Sequence, residues 1–388
     1  MRILFILTVW LTGTTAFAAD TLRVSDVLNR IRQLQVKHTG GDFPAGLFPS
    51  YREYNGRNTV KNDDNPFFTG LIAITLRSIR THLSATDKKV CDSILAEATP
   101  AYSLYRNKTG RFTYNFWRTN PTVVFPHSGW INLMNGTHAL PDDIDDTAII
   151  LLATEAGDTT ARKVHAMMQQ HVNAGKKRKK SRYKAYRGIP AYSTWFGKRM
   201  PVDIDVCVLT NVLYMLQHYQ LPLTGADSAS LQFICQAIDT HHYIDKPSYV
   251  SPHYARTPIL LYHLSRLMTA GYFEMLEQRK PLLIAEAQKQ YAAAVNPMDR
   301  ILLSTVLLRW KQPLPDTVLT SEDTIFTYLE ENDFVFFIAG MASILPDPLR
   351  QWLGNTGVGR FYYYCPAYND ALLLEYLVLH QQATRKPV

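Results

Sequence analysis

The feature that most constrains this chain is a segment that recurs along it. A short polar stretch, often acidic or containing proline, opens an apolar run of roughly 12 to 18 residues. Runs of this length and composition predict helices that are covered on all sides. Amphipathic segments lie between several of them, for example at residues 86–105, 159–174 and 281–295. The seven apolar segments begin at Asn62, Asp142, Val202, Ser251, Asn296, Glu331 and Asn369.

Apolar helices that alternate with amphipathic helices are typical of helical-hairpin repeats. The apolar helices form an inner layer, and the amphipathic helices form an outer layer that meets water. We therefore predict an all-α fold, an α/α toroid of six or seven helical hairpins, in a single domain over residues 20–388. No linker rich in serine, glycine or proline divides this stretch. The starts of the inner helices should converge, so that their polar openers line a shared cavity.

The first residues have the pattern of a targeting segment. Met1 and Arg2 precede an apolar run of about 11 residues, and the small-x-small pattern Ala16-Phe17-Ala18 follows. The apolar run is shorter than the ~20 residues that a membrane-spanning helix needs. We predict a signal peptide over residues 1–19 and an exported protein, periplasmic or secreted. The alternative is an uncleaved N-terminal anchor.

Export would expose the four cysteines to an oxidising compartment. Their wide spacing does not form a disulfide framework or a metal-binding motif. We expect buried thiols, or at most one or two bridges. The residues are Cys91, Cys207, Cys235 and Cys365.

Positive charge is concentrated in one segment. The chain has a formal net charge of +8, and Lys176–Arg187 holds eight basic residues without an acid. The rest of the chain is therefore formally neutral. We predict that this segment is either a solvated loop between hairpins or an anion site, for an acidic substrate or an anionic membrane surface. A nucleic-acid partner is not predicted, because no reading motif accompanies the basic residues.

The segment Pro141–Ala148, PDDIDDTA, is the most informative in the chain. Asp142, Asp143, Asp145 and Asp146 place four carboxylates in five positions at the start of a predicted helix. A helix cap uses only one carboxylate. Because neighbouring carboxylates cannot all ionise cheaply, one of them should hold its proton and be a candidate general acid. The same oxygens could instead bind Mg²⁺ or Ca²⁺, or form a solvated acidic loop.

A second acidic opener repeats the first. Pro201–Asp205 matches Pro141–Asp145 at an offset of sixty residues. The repeat predicts that Asp203 and Asp205 face the same cavity as the main cluster. The alternative is that one of them caps a helix and the other lies on the surface.

The segment PDDIDDTA resembles the DxDDTA motif of class II terpene cyclases, the group that includes squalene-hopene cyclase. The matching residues are Asp143-Ile144-Asp145-Asp146-Thr147-Ala148. The resemblance extends upstream to Gly129-Trp130 and, more loosely, downstream to the TWFGKR around Trp195. The match is short and partial. These cyclases are built on α/α toroids, which agrees with the repeat pattern.

The resemblance implies an enzyme that protonates an isoprenoid or similar apolar substrate. It assigns the acid to Asp145, with Asp143 and Asp146 in support. Aromatic faces would stabilise carbocations, and a nearby histidine could tune a carboxylate. The candidate substrate-binding residues are Trp130, Trp195, Tyr192, Tyr114, Asp203, Asp205 and His127.

No cofactor is predicted, but Mg²⁺ is an open alternative. Residues 142–146 also satisfy DDxxD, the metal–diphosphate motif of class I terpenoid enzymes. If a metal is required, Asp142 and Asp146 are the candidate ligands.

Two other functions remain open from the sequence. Paired carboxylates and tryptophans in an α/α toroid also suit an exported carbohydrate-active enzyme, either a glycoside hydrolase or a lyase. A toroid could also bind a lipid or glycan without catalysis. Apolar and aromatic cavity walls would favour an isoprenoid, whereas many polar side chains would favour a sugar.

Overall fold

Helices dominate the part of the chain that the computed structural model describes, which is residues 22–54, 59–127, 140–174, 184–186, 188–197, 200–315, 326, 334–354 and 356–384. The long helices are α1 (Val24–Leu34), α2 (Phe67–Ile79), α3 (Ala85–Ala98), α4 (Ile144–Thr154), α5 (Asp158–Met168), α6 (Val206–His218), α7 (Gly225–Asp239), α8 (Thr257–Ala270), α9 (Lys280–Ala293), α10 (Pro297–Arg309) and α11 (Pro366–Thr384). Short helices are His242–Asp245, Pro247–Val250, Glu274–Glu277 and Leu349–Gly354, and 3-10 turns are Arg80–His82, Thr99–Tyr105 and Met341–Ile344.

Six of the seven predicted apolar helices are confirmed, as α2, α4, α6, α8, α10 and α11. Their composition explains their burial, since a helix that is apolar all round is stable only when it is covered all round. In α4 every residue from Ile144 to Ala153 is buried. The amphipathic helices bury one face instead, and α9 buries only Leu283, Glu286, Ala287 and Tyr291.

The apolar helices pack against one another in chain order. Helix α2 contacts α4, α4 contacts α6, α6 contacts α8, α8 contacts α10, α10 contacts α11, and α11 returns to α2. Among the amphipathic helices, α3 contacts α2, α7 contacts α6, and α9 contacts α10, while α1 contacts α11 and α3. Nearly all buried apolar side chains belong to one continuous core. The described chain is therefore a mostly helical single domain.

The prediction of an all-α fold is wrong in one part, because four short strands form an antiparallel sheet in the order β2-β1-β4-β3. The strands are β1 (Tyr51–Tyr54), β2 (Val60–Asn62), β3 (Phe337–Gly340) and β4 (Arg360–Tyr364). The segment from Glu331, predicted as an apolar helix, contributes β3 and a 3-10 turn instead. A short apolar run fits a buried strand as well as a helix, and aromatic residues favour the strand when a partner is present. Here Phe337 pairs with Tyr363 of β4.

Two predicted segments lie largely outside the described residues. The predicted signal peptide, residues 1–19, is one, and most of the basic segment Lys176–Arg187 is the other. Within the part that is described, no helix has the length and apolar character to cross a bilayer. The four cysteines are buried and unpaired, which confirms the expectation of buried thiols.

The contact between α2 and α4 leaves no room for a side chain at Gly70. A Cβ there would lie 2.5 Å from the Cγ2 of Ile149. We expect Gly70→Ala to destabilise the protein by about 1–3 kcal/mol, because the clash in a packed core exceeds the gain in helix propensity. Urea unfolding measures the change.

The control is Gly225→Ala, at the exposed start of α7, where a Cβ would meet nothing within 4 Å. That variant should be as stable as the parent or slightly more stable. Equal stability of Gly70→Ala and Gly225→Ala would contradict the close approach of α2 and α4.

Candidate functional site

A cavity of about 330 Å³ lies where several apolar helices begin. Phe67 opens α2, the aspartate cluster opens α4, Val208 lies in the first turn of α6, and His253 precedes α8. Residues from the starts of four apolar helices therefore line one cavity, but within the described residues, of the polar segments that open these helices, only those at α4 and before α8 contribute charged or titratable side chains to it. The lining residues are Phe67, Phe116, Trp117, Phe125, Leu140, Asp143, Asp145, Asp146, Thr194, Trp195, Met200, Val208, His253, Phe337, Ala339, Gly340, Ser343 and Tyr363.

The walls of this cavity are mainly aromatic, and the sheet supplies one of them. Phe337 of β3 packs with its ring centre 4.7 Å from that of Phe67 and 5.5 Å from that of Phe116. Tyr363 of β4 packs edge-on against Phe116 at 5.4 Å. The sheet, which the sequence analysis did not predict, thus forms part of the wall of the cavity beside the predicted aspartate cluster.

A buried ion pair holds the sheet against the start of α2. The Arg52 guanidinium on β1 lies 2.6 Å from the Asp63 carboxylate, and both side chains are almost fully buried. Trp117 donates its indole N–H to Asp63 at 3.0 Å, and Arg52 donates to the carbonyl of Pro126 at 2.8 Å. These bonds fix the strand, the helix start and the loop that carries Trp117 relative to one another.

Asp143 and Asp146 form a carboxyl pair on the cavity wall. Asp143 caps α4, accepting the Asp146 backbone N–H at 2.7 Å, and its own N–H donates to the Tyr114 carbonyl. Neither carboxyl oxygen of Asp146 receives a hydrogen bond from a donor among the described residues. Burial, and then the neighbouring Asp143, raise the pKa of Asp146 well above its usual value, and burial raises the pKa of Asp143 to about 7. Two adjacent buried carboxyls are most stable when one of them is protonated, and the higher pKa of Asp146 favours protonation there.

Asp145 has different surroundings, although burial also raises its pKa. One carboxylate oxygen accepts from the Asn211 amide at 2.6 Å, and the other accepts from the Tyr254 hydroxyl at 2.5 Å. Arg266 donates in turn to the Asn211 carbonyl oxygen. Two donors directed at the carboxylate favour its ionised form.

Asp142 does not join the other three carboxyls. Its carboxylate accepts from Asn107 and Thr113, both at 2.5 Å, and it lines a separate cavity of about 370 Å³ together with Lys108 and Arg111. The two candidate Mg²⁺ ligands, Asp142 and Asp146, therefore line different cavities. Within the described residues, no group of three or more His, Cys, Asp or Glu side chains is placed to hold a metal ion. A proton-holding carboxyl beside aromatic walls is also a poor ligand for Mg²⁺.

Asp203 and Asp205 do not line the aromatic cavity but hold His253, which does. Asp205 caps α6 and accepts from the Ser251 hydroxyl at 2.5 Å and the His253 backbone N–H at 2.8 Å. Asp203 lies 3.0 Å from the His253 Nε2 and 3.2 Å from the Arg350 guanidinium. Burial by itself would lower the pKa of His253, but Asp203 and the neighbouring aspartates raise it to about 9. Burial opposes ionisation of Asp203 too, yet His253 and Arg350 hold its pKa well below the usual range.

The repeat at an offset of sixty residues does not correspond to repeated geometry. Asp143 caps α4, and its counterpart by that offset is Asp203, whereas Asp205 caps α6. The second helix thus begins two residues later within the repeated motif. The two repeated segments nevertheless lie close together, because Asp145 of the first and Asp203 and Asp205 of the second are buried near His253.

Of the other predicted substrate-binding residues, some line the aromatic cavity and some do not. Trp195 lines the aromatic cavity. Tyr192 does not, because its hydroxyl donates to Asp227 at 2.6 Å near the start of α7. His127 is exposed, with Nε2 3.9 Å from a carboxylate oxygen of Asp42. Trp130 lies outside the described residues.

Sequence reasoning did not predict five residues of this region as site residues: His253, Tyr254, Phe116, Trp117 and Phe337. For two of them the sequence did contain a usable signal. His253 and Tyr254 lie in the polar opener that starts at Ser251, so the rule that openers line a shared cavity applies to them. Phe337 could be placed only after its strand pairing was known.

No family model, curated protein or solved structure matches the chain. The resemblance to class II terpene cyclases therefore rests on the motif residues alone. Function has to be argued from the chemistry of the cavity.

The charged state of His253 predicts a pH dependence of stability. Its folded pKa of about 9 lies above the unfolded value, so its contribution is fully present below about pH 6.5 and is lost as the pH rises toward 9. The loss should be on the order of 3 kcal/mol. Urea unfolding at pH 6.5 and at pH 9 measures it.

The comparison is with His253→Gln, which can still donate to Asp203 but does not titrate. Carboxyls with raised pKa, such as Asp143, also lose stability with rising pH, but they do so in both proteins and cancel in the difference. An equal fall in stability in parent and variant would mean that His253 is not the titrating group.

Proposed function

We propose that this protein is an exported enzyme of terpene-cyclase type, which transfers a proton to a carbon–carbon double bond of an isoprenoid or similar apolar substrate. One observation carries the proposal: the buried carboxyls of Asp143 and Asp146 lie on the wall of a cavity whose other walls are mainly aromatic, and burial raises the pKa of both. Such a group is an acid that can act at neutral pH, in surroundings that keep water away from a carbocation.

We also propose that the helices form an α/α toroid. The contacts from α2 through α4, α6, α8, α10 and α11 back to α2 support a ring of apolar helices, with amphipathic helices outside. In such a ring the cavity lies at one end, among the helix starts. The motif resemblance is in line with this arrangement.

The proposed reaction begins when the acid donates its proton to one carbon of a double bond. A C–H bond forms, the π electrons are consumed, and the neighbouring carbon becomes a cation. The π electrons of a second double bond can then close a ring. Loss of a proton to the carboxylate pair restores the enzyme. The faces of Phe67, Trp117 and Phe337 would stabilise the cation during these steps.

We assign the proton to Asp146, although the motif resemblance assigns it to Asp145. Asp145 already accepts two hydrogen bonds, which favour its ionised form. Asp146 receives none from the residues that the structure describes, and it lies beside the Asp143 carboxyl. In this assignment, Asp145 contributes negative charge that stabilises the developing cation.

The alternative of a carbohydrate-active enzyme has less support. A sugar offers many hydroxyl groups, and a site for it needs a corresponding number of polar side chains. The aromatic cavity is instead lined mainly by apolar groups. Export, and attraction to an anionic membrane through Lys176–Arg187, remain parts of the proposal that would bring the enzyme to an apolar substrate.

Substitution of single aspartates tests the assignment. We expect Asp146→Asn to lower turnover of a linear isoprenoid by about 10²–10⁴-fold, because it removes the proton donor. Asp145→Asn should retain more activity than Asp146→Asn. Incubation of the purified protein with a panel of linear isoprenoids, followed by mass spectrometry of the products, measures both.

The control is Asp142→Asn, because Asp142 lines the other cavity. Its turnover should stay within a fewfold of the parent. If Asp146→Asn keeps full activity and Asp145→Asn is inactive, the proton donor is Asp145 and the assignment to Asp146 is wrong. A parent protein that converts no isoprenoid, but cleaves an oligosaccharide from a parallel panel, would overturn the proposed function.

A further inference from the structure

Three buried polar atoms of the aromatic cavity have no hydrogen-bond partner among the described residues. They are the Nδ1 of His253, the indole Nε1 of Trp195 and the hydroxyl oxygen of Thr194, and all three residues line the cavity. Thr194 is 4% exposed and His253 is 8% exposed, so bulk water does not reach them freely. A buried polar group without a partner is destabilising, and three beside one cavity are a costly arrangement unless a ligand satisfies them.

The three groups belong to neighbouring residues of the cavity wall. The ring centres of Trp195 and His253 are 6.4 Å apart and the rings are nearly perpendicular. Thr194 precedes Trp195, and its carbonyl accepts the Ile144 backbone N–H at 2.7 Å at the start of α4. The three groups are therefore adjacent to the carboxyl pair of Asp143 and Asp146.

All three groups can donate a hydrogen bond. The indole N–H only donates, and a threonine hydroxyl can donate or accept. The Nε2 of His253 faces Asp203, whose charge favours the imidazolium form, so that Nδ1 also carries a hydrogen. Three donors that meet no acceptor in the described part of the chain predict a ligand that brings an oxygen atom to this wall.

We propose that the cavity binds an apolar molecule that carries an uncharged oxygen group, such as a hydroxyl, carbonyl or epoxide, hydrogen-bonded to His253, Trp195 and Thr194. The inference rests on the proposed function only in taking this cavity as the substrate site. It narrows the substrate class from an isoprenoid hydrocarbon to an oxygenated isoprenoid or a similar amphiphile.

The neighbouring charges favour an uncharged oxygen group over an anion. Asp143, Asp145 and Asp146 line the same cavity, and Asp203 already neutralises His253. An anionic group here would face carboxylates in a low-dielectric site, where like charges repel strongly. A neutral oxygen can accept the three hydrogen bonds without that cost.

The experiment compares binding of farnesol, farnesene and farnesoic acid, which share a carbon chain and differ in the terminal group. Each is presented in the same cyclodextrin carrier, and affinity is measured by calorimetry. We expect the parent protein to bind farnesol about tenfold more tightly than farnesene, as one to two net hydrogen bonds would give. Farnesoic acid at neutral pH should bind more weakly than farnesol.

Two variants test the donors separately. Thr194→Val removes the hydroxyl with little change of shape, and Trp195→Phe removes the indole N–H but keeps an aromatic ring. Each should reduce the preference for farnesol over farnesene by about two- to tenfold. The matched control is Phe116→Leu, at an apolar residue of the same cavity wall, which should weaken both ligands alike and leave the preference unchanged.

Equal affinity of the parent for farnesol and farnesene would overturn the inference and would mean that only water meets the three donors. A preference for farnesol that survives both substitutions would also overturn it. Tighter binding of farnesoic acid would overturn the assignment of an uncharged group. Selective binding of farnesol without conversion of any isoprenoid would sustain this inference while removing the proposed function, so the two fail separately.

Discussion

Six largely apolar helices must be covered by other helices, and they are covered by one another and by the amphipathic helices that pack against them. The rest of the structure follows from this constraint. Packing them side by side places the starts of α2, α4, α6 and α8 around one cavity, together with the aspartates and the histidine near those helix starts. Those polar residues are then buried as well. Each needs a helix N–H, a partner of opposite charge or a retained proton, because water is no longer available to it.

The aspartates at these helix starts meet that need in different ways. Asp203 remains ionised because His253 and Arg350 lie against it. Asp145 accepts two neutral donors, Asn211 and Tyr254. No donor among the described residues reaches the Asp146 carboxyl, and burial beside Asp143 raises its pKa well above the usual value, which favours its protonated form. The same residue type thus has opposite charge states within one site, and the contacts of each side chain decide which.

The small sheet forms part of the cavity wall. It is tied to the start of α2 through the buried pair of Arg52 and Asp63, and it carries Phe337 and Tyr363 into the cavity wall. A buried ion pair of this kind contributes less to stability than to fixing a unique arrangement, since desolvation offsets most of the attraction. Here the arrangement it fixes is the aromatic wall that shares the cavity with the aspartates.

Much of the helical fold could be predicted, because composition over a dozen residues reports burial directly. The starts of α4 and α6 followed from PDDIDDTA and PVDID, and their convergence followed from the repeated pattern. The segment from Glu331 failed because a short apolar run has the same composition in a buried helix and in a buried strand. The prediction that Tyr192 binds substrate in this cavity was wrong, because its side chain points toward Asp227 instead. Proximity to a motif in sequence does not fix the direction of a side chain.

The sequence by itself determined most of the helical stretches, which helices are largely buried, and that carboxylates crowd the start of α4. These are local properties, set by composition and by spacing along a few turns. Only the tertiary structure decided that β3 and β4 wall the cavity, that Asp142 faces a different one, and that His253 completes the cluster. Those outcomes depend on contacts between residues far apart in the chain, such as His253 with Asp203 and Phe337 with Tyr363. Spacing along the chain carries no information on such contacts, because packing of the whole domain sets the distances between them.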